Sequence, residues 1–442
     1  MVSADAVQAR IAKHLRYDGF DLVLDMQRSR GSRLVDERSG AEYLDLFTFF
    51  ASSPLGWNPP QLTRDDAFLR RLTAAALNKV SNGDVATTCL ADFVTTFERV
   101  LGVEELPRLF LISGGALAVE NALKAAFDAK QRQNEEHGRD PALGTRVLHL
   151  TRAFHGRSGY TMSLTNTDPV KVAGFPKFDW PRIDAPDVRF PLADHLDGII
   201  AAEQRALAQA EEAFARHPHD IACFIAEPIQ CEGGDNHLRA EFLQALQGLC
   251  HEHGAFFVLD EVQTGVGVTG TAWCHQQLGL EPDLVAFGKK SQVCGVMGGR
   301  RVDAVEGNVF AAPGRISSTW SGSLVDMVRI TRMLEVIEEE ELMGRARKLG
   351  SHLLSGLAQL ADDHPGLVDN VRGRGLLCAF DLPDTATRDA VLGDLFTSER
   401  VLLLGAGQRS IRFRPHLAVT TEDLDDGVAA VDRSLRRAAP TA

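Results

Sequence analysis

Cysteine is scarce in this chain and follows no pattern. The seven Cys are an odd number, none forms a Cys-x-x-Cys pair, and several sit in apolar stretches such as Ala222-Cys223-Phe224. This argues against a disulfide framework and against a metal site, and it predicts buried free thiols in a reducing cytoplasm. Long apolar runs are missing too. No uncharged stretch reaches spanning length, so no membrane helix is expected. The start, Met1-Val2-Ser3-Ala4-Asp5, lacks a basic segment followed by an apolar one, so no secretory signal is visible. Positive charge is in deficit: 47 Lys and Arg against 60 Asp and Glu give a formal net charge of -13. Such a chain repels nucleic acid and anionic membrane, which removes both as partners. No repeat or low-complexity tract occurs. What remains is 442 residues, 44% hydrophobic and 24% charged, enough for a large core and more than one domain.

Three regions can be separated. Residues 1–75 mix helix-like and strand-like pieces and include the aromatic run Tyr43 to Phe50. The loop-like stretch Ser52 to Pro60 follows, rich in Pro, Gly and Asn. Between 76 and 330, short apolar runs alternate with longer helical patterns. The runs are Leu109 to Ile112, Val147 to Leu150, Ile221 to Ile225, Phe256 to Leu259 and Leu284 to Phe287. That alternation predicts an α/β domain with a mostly parallel sheet. Residues 331–442 open on a charged helix around Met333 to Glu338 and close with a strand-like Ile411 to Arg414 and an amphipathic helix. They read as a smaller α+β domain that the N-terminal segment joins.

Two of the apolar runs lead directly into chemically useful residues. Phe256-Phe257-Val258-Leu259 ends at Asp260, and Leu284-Val285-Ala286-Phe287 is followed by Gly288 and Lys289. In open α/β sheets the ends of buried strands line the ligand crevice. An Asp to hold a pyridinium nitrogen and a Lys to form a Schiff base are what a pyridoxal phosphate enzyme needs from its protein. Taken alone, the two also read as an Asp capping a turn and a surface Lys. Ser113-Gly114-Gly115-Ala116 precedes a strong helix former. Its free amides suit a phosphate, although the same residues also suit a plain strand-to-helix turn. Phe154-His155-Gly156-Arg157 offers either a ring to lie against a flat cofactor and a guanidinium to pair a carboxylate, or a plain core Phe and a surface Arg. Glu227 to Asp235 reads either as a functional acidic loop or as a solvated one. Ser317 to Gly322 either binds phosphate or caps a helix. Arg412 is either a ligand-binding residue or an exposed edge residue. Gly265-Val266-Gly267-Val268-Thr269-Gly270 matches a dinucleotide fingerprint in letters only. Four residues separate it from the preceding strand, and the helix after it is short.

Taken in order, these motifs resemble the class III (ornithine-type, ω-amino) pyridoxal-phosphate-dependent aminotransferases. The resemblance covers nearly the whole chain: Gly-Gly-Ala, Phe-His-Gly-Arg, Glu-Pro-Ile-Gln, Asp-Glu-Val-Gln-Thr-Gly, Pro-Asp-(apolar)-Gly-Lys, Thr, and Arg-Phe-x-Pro. Stretches such as Phe175 to Arg182 and Gly288 to Met297 further resemble the lysine-type members. The resemblance implies fold type I, with a large α/β domain carrying a mostly parallel sheet and a small α+β domain. It implies pyridoxal 5'-phosphate as cofactor, with Lys289 as the Schiff-base lysine and proton carrier. Asp260 would hold the pyridine nitrogen, Gln263 would reach the phenolic oxygen, and Phe154 would stack on the ring. Gly115 and Ala116 would bind the phosphate, joined by Thr319 from the other subunit of a homodimer. Arg157 and Arg412 would bind substrate carboxylates, with Glu232 pairing Arg412 when it is empty. The implied reaction moves the ε-amino group of L-lysine to 2-oxoglutarate. Alternatives are another ω-aminotransferase, acting on ornithine or 4-aminobutyrate, and a non-catalytic binding protein of the same fold. Three positions depart from the pattern. Cys231 stands where Gly is usual, Leu117 where the wider family has Glu, and Ser317 where Asn is expected.

Overall fold

A computed structural model describes residues 2–438. Its centre is a seven-stranded sheet. The strands lie in the order Arg108–Ile112, Cys294–Gly298, Leu284–Phe287, Phe256–Asp260, Ile221–Ala226, Arg146–Leu150 and Arg182–Ile183. Cys294–Gly298 runs antiparallel to both of its neighbours, and every other pair is parallel. All five apolar runs read as strands are therefore strands, and the sheet is mostly parallel as expected.

Side chains alternate across the sheet with period two. Leu148, Phe224, Phe257, Leu259, Val285 and Phe287 belong to one core cluster. Val147, Cys223, Ile225, Phe256, Val258, Leu284 and Ala286 belong to another. Both faces are dry, which is why the strands read as continuous apolar runs rather than alternating ones. Each fully buried Leu, Val or Phe contributes about 1.5–3 kcal/mol through removal from water. Asp260 shares its parity with Phe256 and Val258, so it points to the second cluster's face. The helix Gly115–Glu136 packs on that face through Ala118, Ala122, Ala125 and Ala126, whose small side chains let it approach the strands closely.

The two chain ends meet in smaller sheets. Arg33–Val35, Glu42–Asp45 and Val401–Leu402 form a three-stranded sheet, so strands near both termini share it. Asp369–Arg374, Leu377–Asp381, Ser410–Phe413 and Leu404–Ala406 form a four-stranded antiparallel sheet in that order. Arg412 is thus on an inner strand and only 2% exposed, which rules out the edge reading. The helices Leu324–Glu339 and Thr421–Ala438 match the charged and the terminal helix read from the sequence. Among the described residues no helix is long and apolar enough to cross a membrane, and no cluster of side chains could hold a metal ion. The stretch Gly265 to Gly270 is a series of turns, followed only by the four-residue helix His275–Leu278. A Cβ on Gly265 would come within 2.5 Å of the buried Trp273 ring, so that glycine serves packing.

Candidate active site

Register brings the two expected residues together. Ala286 pairs with Asp260 across parallel strands, so the Leu284–Phe287 strand ends beside Asp260 and the chain reaches Lys289 three residues later. Gly288 makes this exit possible, because a Cβ there would lie 2.9 Å from the Cys294 sulfur and 3.4 Å from Val262. Lys289 itself has φ 46°, in the left-handed region. That conformation costs a non-glycine residue about 1–3 kcal/mol and persists only where the surrounding fold imposes it. Lys289 and Asp260 line one cleft of about 280 Å³ together with Gly115, Ala116, Phe154 and Gln263. Glu227 and Glu232 line it as well. A larger cavity of about 660 Å³ elsewhere is lined by none of the site residues expected from the sequence.

The helix at the cleft wall starts without a side-chain cap: Gly114, at φ 108°, precedes Gly115, and no side chain accepts from the first turn. The first amides of a 22-residue helix are thus left as free donors at its positive end. A Cβ on Gly115 would stand 2.9 Å from a Val262 methyl, so only glycine fits between helix and cleft floor.

Behind Asp260 is a partner that sequence reasoning missed. His155 Nδ1 lies 2.8 Å from Asp260 Oδ2, and the imidazole is fully buried. Burial works against a charged ring, yet the hydrogen bond to Asp260 and its charge outweigh that and raise the His155 pKa. The second Asp260 oxygen accepts the Val262 amide at 3.1 Å. Glu227 completes this buried group by accepting the amides of Phe154 at 2.9 Å and Cys231 at 3.1 Å. Burial, reinforced by Asp260 and opposed by His155, pushes its carboxyl up to about 7. The motif Phe-His-Gly-Arg carried the signal for His155, since its second letter is titratable. No local pattern could show that it meets a residue 105 positions away.

Arg412 and Glu232 form the expected pair, with Arg412 Nη2 2.9 Å from Glu232 Oε2. Arg412 Nη1 also donates to the Cys231 carbonyl at 3.1 Å, while its buried Nε has no partner among the described residues. Glu232 holds a second cation: Lys171 Nζ lies 2.7 Å from its other oxygen. Burial tends to raise the Glu232 pKa, but the charges of Arg412 and Lys171 outweigh it and hold the carboxyl below its ordinary value. Gln263 accepts from Arg414 Nε at 3.1 Å, and Arg414 is anchored in turn by buried Asp235. Arg157 and Thr319 stand apart. Both are exposed and neither lines the cleft, although Arg157 follows Gly156, which does. Of the three departures, Leu117 and Ser317 are exposed, and Cys231 is buried with its thiol pushed up to about 12 by burial.

The family model for aminotransferase class-III matches residues 17–435. The chain belongs to the class III aminotransferases. An L-lysine-epsilon aminotransferase of Amycolatopsis lactamdurans is 60% identical over 431 residues, covering 97% of this chain and 95% of that protein. A 4-aminobutyrate aminotransferase of Dictyostelium discoideum is 31% identical, covering 93% and 85%. The crystal structure of a lysine aminotransferase of M. tuberculosis in its internal aldimine form superposes with a TM-score of 0.97 at 57% identity, covering 99% of this chain and 100% of that one. This class III chain is a pyridoxal-phosphate-dependent enzyme of fold type I. Its cleft suits the cofactor: an uncapped helix start for the phosphate, a glycine where a Cβ would intrude, a buried carboxylate for the ring nitrogen, and a lysine within the same cleft.

Proposed function

We propose that this aminotransferase moves the ε-amino group of L-lysine to 2-oxoglutarate, giving 2-aminoadipate 6-semialdehyde and L-glutamate. One observation carries the reading: beside the cleft a buried arginine, Arg412, is held by a carboxylate that itself faces the cleft. The two substrates make opposite demands on that arginine. 2-Oxoglutarate presents a carboxylate next to its reacting carbon and another at its far end. L-Lysine presents its reacting amine at one end and its carboxylate at the other. A bare guanidinium near the reacting atoms would draw lysine in by its α-end. Glu232 masks Arg412 for lysine and yields it to the keto acid. The far greater identity to an L-lysine-epsilon aminotransferase than to a 4-aminobutyrate aminotransferase favours lysine among the ω-amino donors.

The residues divide the work. Lys289 would bond the cofactor, and Asp260, oriented by His155, would hold the ring nitrogen. Gln263, with Nε2 left free by the Arg414 contact, would reach the phenolic oxygen, and Phe154 would cover the ring. Gly115 and Ala116 would receive the phosphate. When bound, pyridoxal phosphate supplies an electron sink that lets the C–H bond beside the transferred nitrogen ionise. Lys289 Nζ takes that proton and returns it. Arg157, exposed beside the cleft-lining Gly156, would turn in to serve as the distal carboxylate clamp for both substrates.

We further read the enzyme as a homodimer in which Thr319 completes the phosphate site of the other subunit. Exposed Thr319 and the exposed apolar side chains Phe49, Phe50, Leu117 and Trp320 support this. Seven unpaired cysteines favour the cytoplasm. The deciding experiment is the amino-donor profile with 2-oxoglutarate. L-Lysine should exceed ornithine and 4-aminobutyrate in kcat/KM by at least about tenfold, an energetic difference of about 1.4 kcal/mol. Equal turnover of ornithine would overturn the assignment.

A further inference from the structure

We propose that Lys171 is a specificity-determining residue that sets how readily the Glu232–Arg412 pair opens for a dicarboxylate. The inference rests on the switch reading above and deepens it. Glu232 is bridged: Oε2 faces Arg412 Nη2 at 2.9 Å and Oε1 faces Lys171 Nζ at 2.7 Å. The two cations sit in different settings. Arg412 is fixed in an inner strand and its side chain is 2% exposed, whereas the Lys171 side chain is 22% exposed on the short turn Pro169–Lys171. The Lys171 ammonium also stands 5.3 Å from the centroid of the ring of Phe154, a residue that lines the cleft.

The consequence follows from counting partners in each state. With Arg412 masked, Glu232 has two cations. When a substrate carboxylate takes Arg412, Glu232 must keep its charge in a half-buried place with only one. Lys171 is that one, and its long flexible stem lets it follow the carboxylate: among the described residues, its ammonium's one other hydrogen-bond contact is a weak 3.5 Å approach to Thr167 Oγ1. Without Lys171 the masked state retains a charge pair while the open state leaves a carboxylate unpaired. Unpaired groups of this kind cost more than the pair is worth. Removing Lys171 therefore favours the masked state and handicaps the dicarboxylate, not lysine. The residue positions Glu232 and need not touch a substrate.

The test uses the cofactor-loaded enzyme, the variants Lys171→Met and Lys171→Arg, and Arg412→Ala as a control. Glutarate, a five-carbon dicarboxylate that cannot react, is titrated by calorimetry. Single-turnover rates are measured separately with L-glutamate and L-lysine. Lys171→Met should weaken glutarate about tenfold, the range for a charged hydrogen bond discounted for partial exposure. The ratio of glutamate to lysine kcat/KM should fall by a similar factor, chiefly through KM. Lys171→Arg, which keeps the charge, should restore both to within about threefold. Unchanged glutarate affinity in Lys171→Met, an equal fall in both half-reactions, or failure of Lys171→Arg to restore would each overturn the role of Lys171. Arg412→Ala separates the two levels. If it slows both half-reactions equally, the switch itself is wrong. If it discriminates while Lys171→Met does not, only Lys171 is wrong.

Discussion

Replacing Arg412 with Ala perturbs one half of the reaction and not the other. Its guanidinium is almost fully buried, donates to Glu232 at 2.9 Å and to the Cys231 carbonyl at 3.1 Å, and keeps a buried Nε without a partner among the described residues. That unfilled donor and the displaceable Glu232 contact together leave room for two carboxylate oxygens. Truncating one side of a buried, hydrogen-bonded charge pair costs about 2–5 kcal/mol. Taking about 3 kcal/mol, kcat/KM for L-glutamate or 2-oxoglutarate should fall about 150-fold, at 1.4 kcal/mol per factor of ten. The lysine half-reaction finds Arg412 masked in the native enzyme and should change less than about fivefold. Glu232 keeps Lys171 in the variant, so no buried carboxylate is stranded. The assay is single-turnover absorbance of the cofactor with each amino donor alone, across a concentration series. Equal losses in the two half-reactions would refute the reasoning, since they would mean that Arg412 serves the fold rather than one substrate.

Other residues give separate tests. Borohydride reduction of the holoenzyme should fix the cofactor on Lys289. The neighbouring Lys290 is a real competitor, because burial pushes its amine down to about 7, and label found there would reverse the assignment. Thr319→Ala should weaken cofactor retention by about 1–3 kcal/mol, the cost of a lost donor to a buried phosphate oxygen. A variant that holds cofactor as firmly as the native enzyme after dialysis would contradict the shared site. Glu227 makes stability depend on pH. Its carboxyl is raised to about 7 in the fold from an ordinary 4.5, so the folded protein keeps a proton that the unfolded chain has released. Its contribution is full below about 4.5 and is lost as pH rises towards about 7. The melting temperature of the cofactor-free protein should fall across that window more steeply than that of Glu227→Gln, and parallel slopes would exclude the effect.

Five of the sheet's seven strands were legible because they are apolar and short enough to stand out between helical stretches; the glycine-bearing Cys294–Gly298 and the two-residue Arg182–Ile183 were not. Phe256 to Leu259 shows no polar residue for four positions and then Asp260, so the strand end and its functional group are visible in one glance. Lys289 was legible for the same reason. The chemistry at Asp260 was only half legible. Its carboxylate has two oxygens, and the sequence shows a titratable His155 in a motif but not that it meets Asp260. The fold answers with His155 on one and the Val262 amide on the other. Lys171 shows the limit more plainly. It is one of nine lysines and ends the short turn Pro169–Lys171. Its meaning comes wholly from a carboxylate 61 residues away. Arg414 was not foreseen: it lies just past the strand Ser410–Phe413, and nothing local shows that it meets Gln263 and Asp235.

These limits have a common physical origin that bears on how the site works. Residues that must be in place before any ligand arrives stand at ends of regular elements, where burial fixes the backbone: Asp260, Lys289 at its left-handed φ, and Gly115 at a helix start. Residues that must change partners stand on turns and long side chains, where local sequence constrains little. Glu232 follows the short strand Ile229–Gln230, and Lys171 ends a turn held by Asp168, which accepts the Val170 amide at 3.0 Å. A rigid cofactor floor and a movable carboxylate gate are what two substrates of unlike shape require from one cleft. Arg412 belongs to the rigid set by its inner strand and to the movable set by its partner. It is therefore the residue at which a substitution most directly separates binding of one substrate from binding of the other.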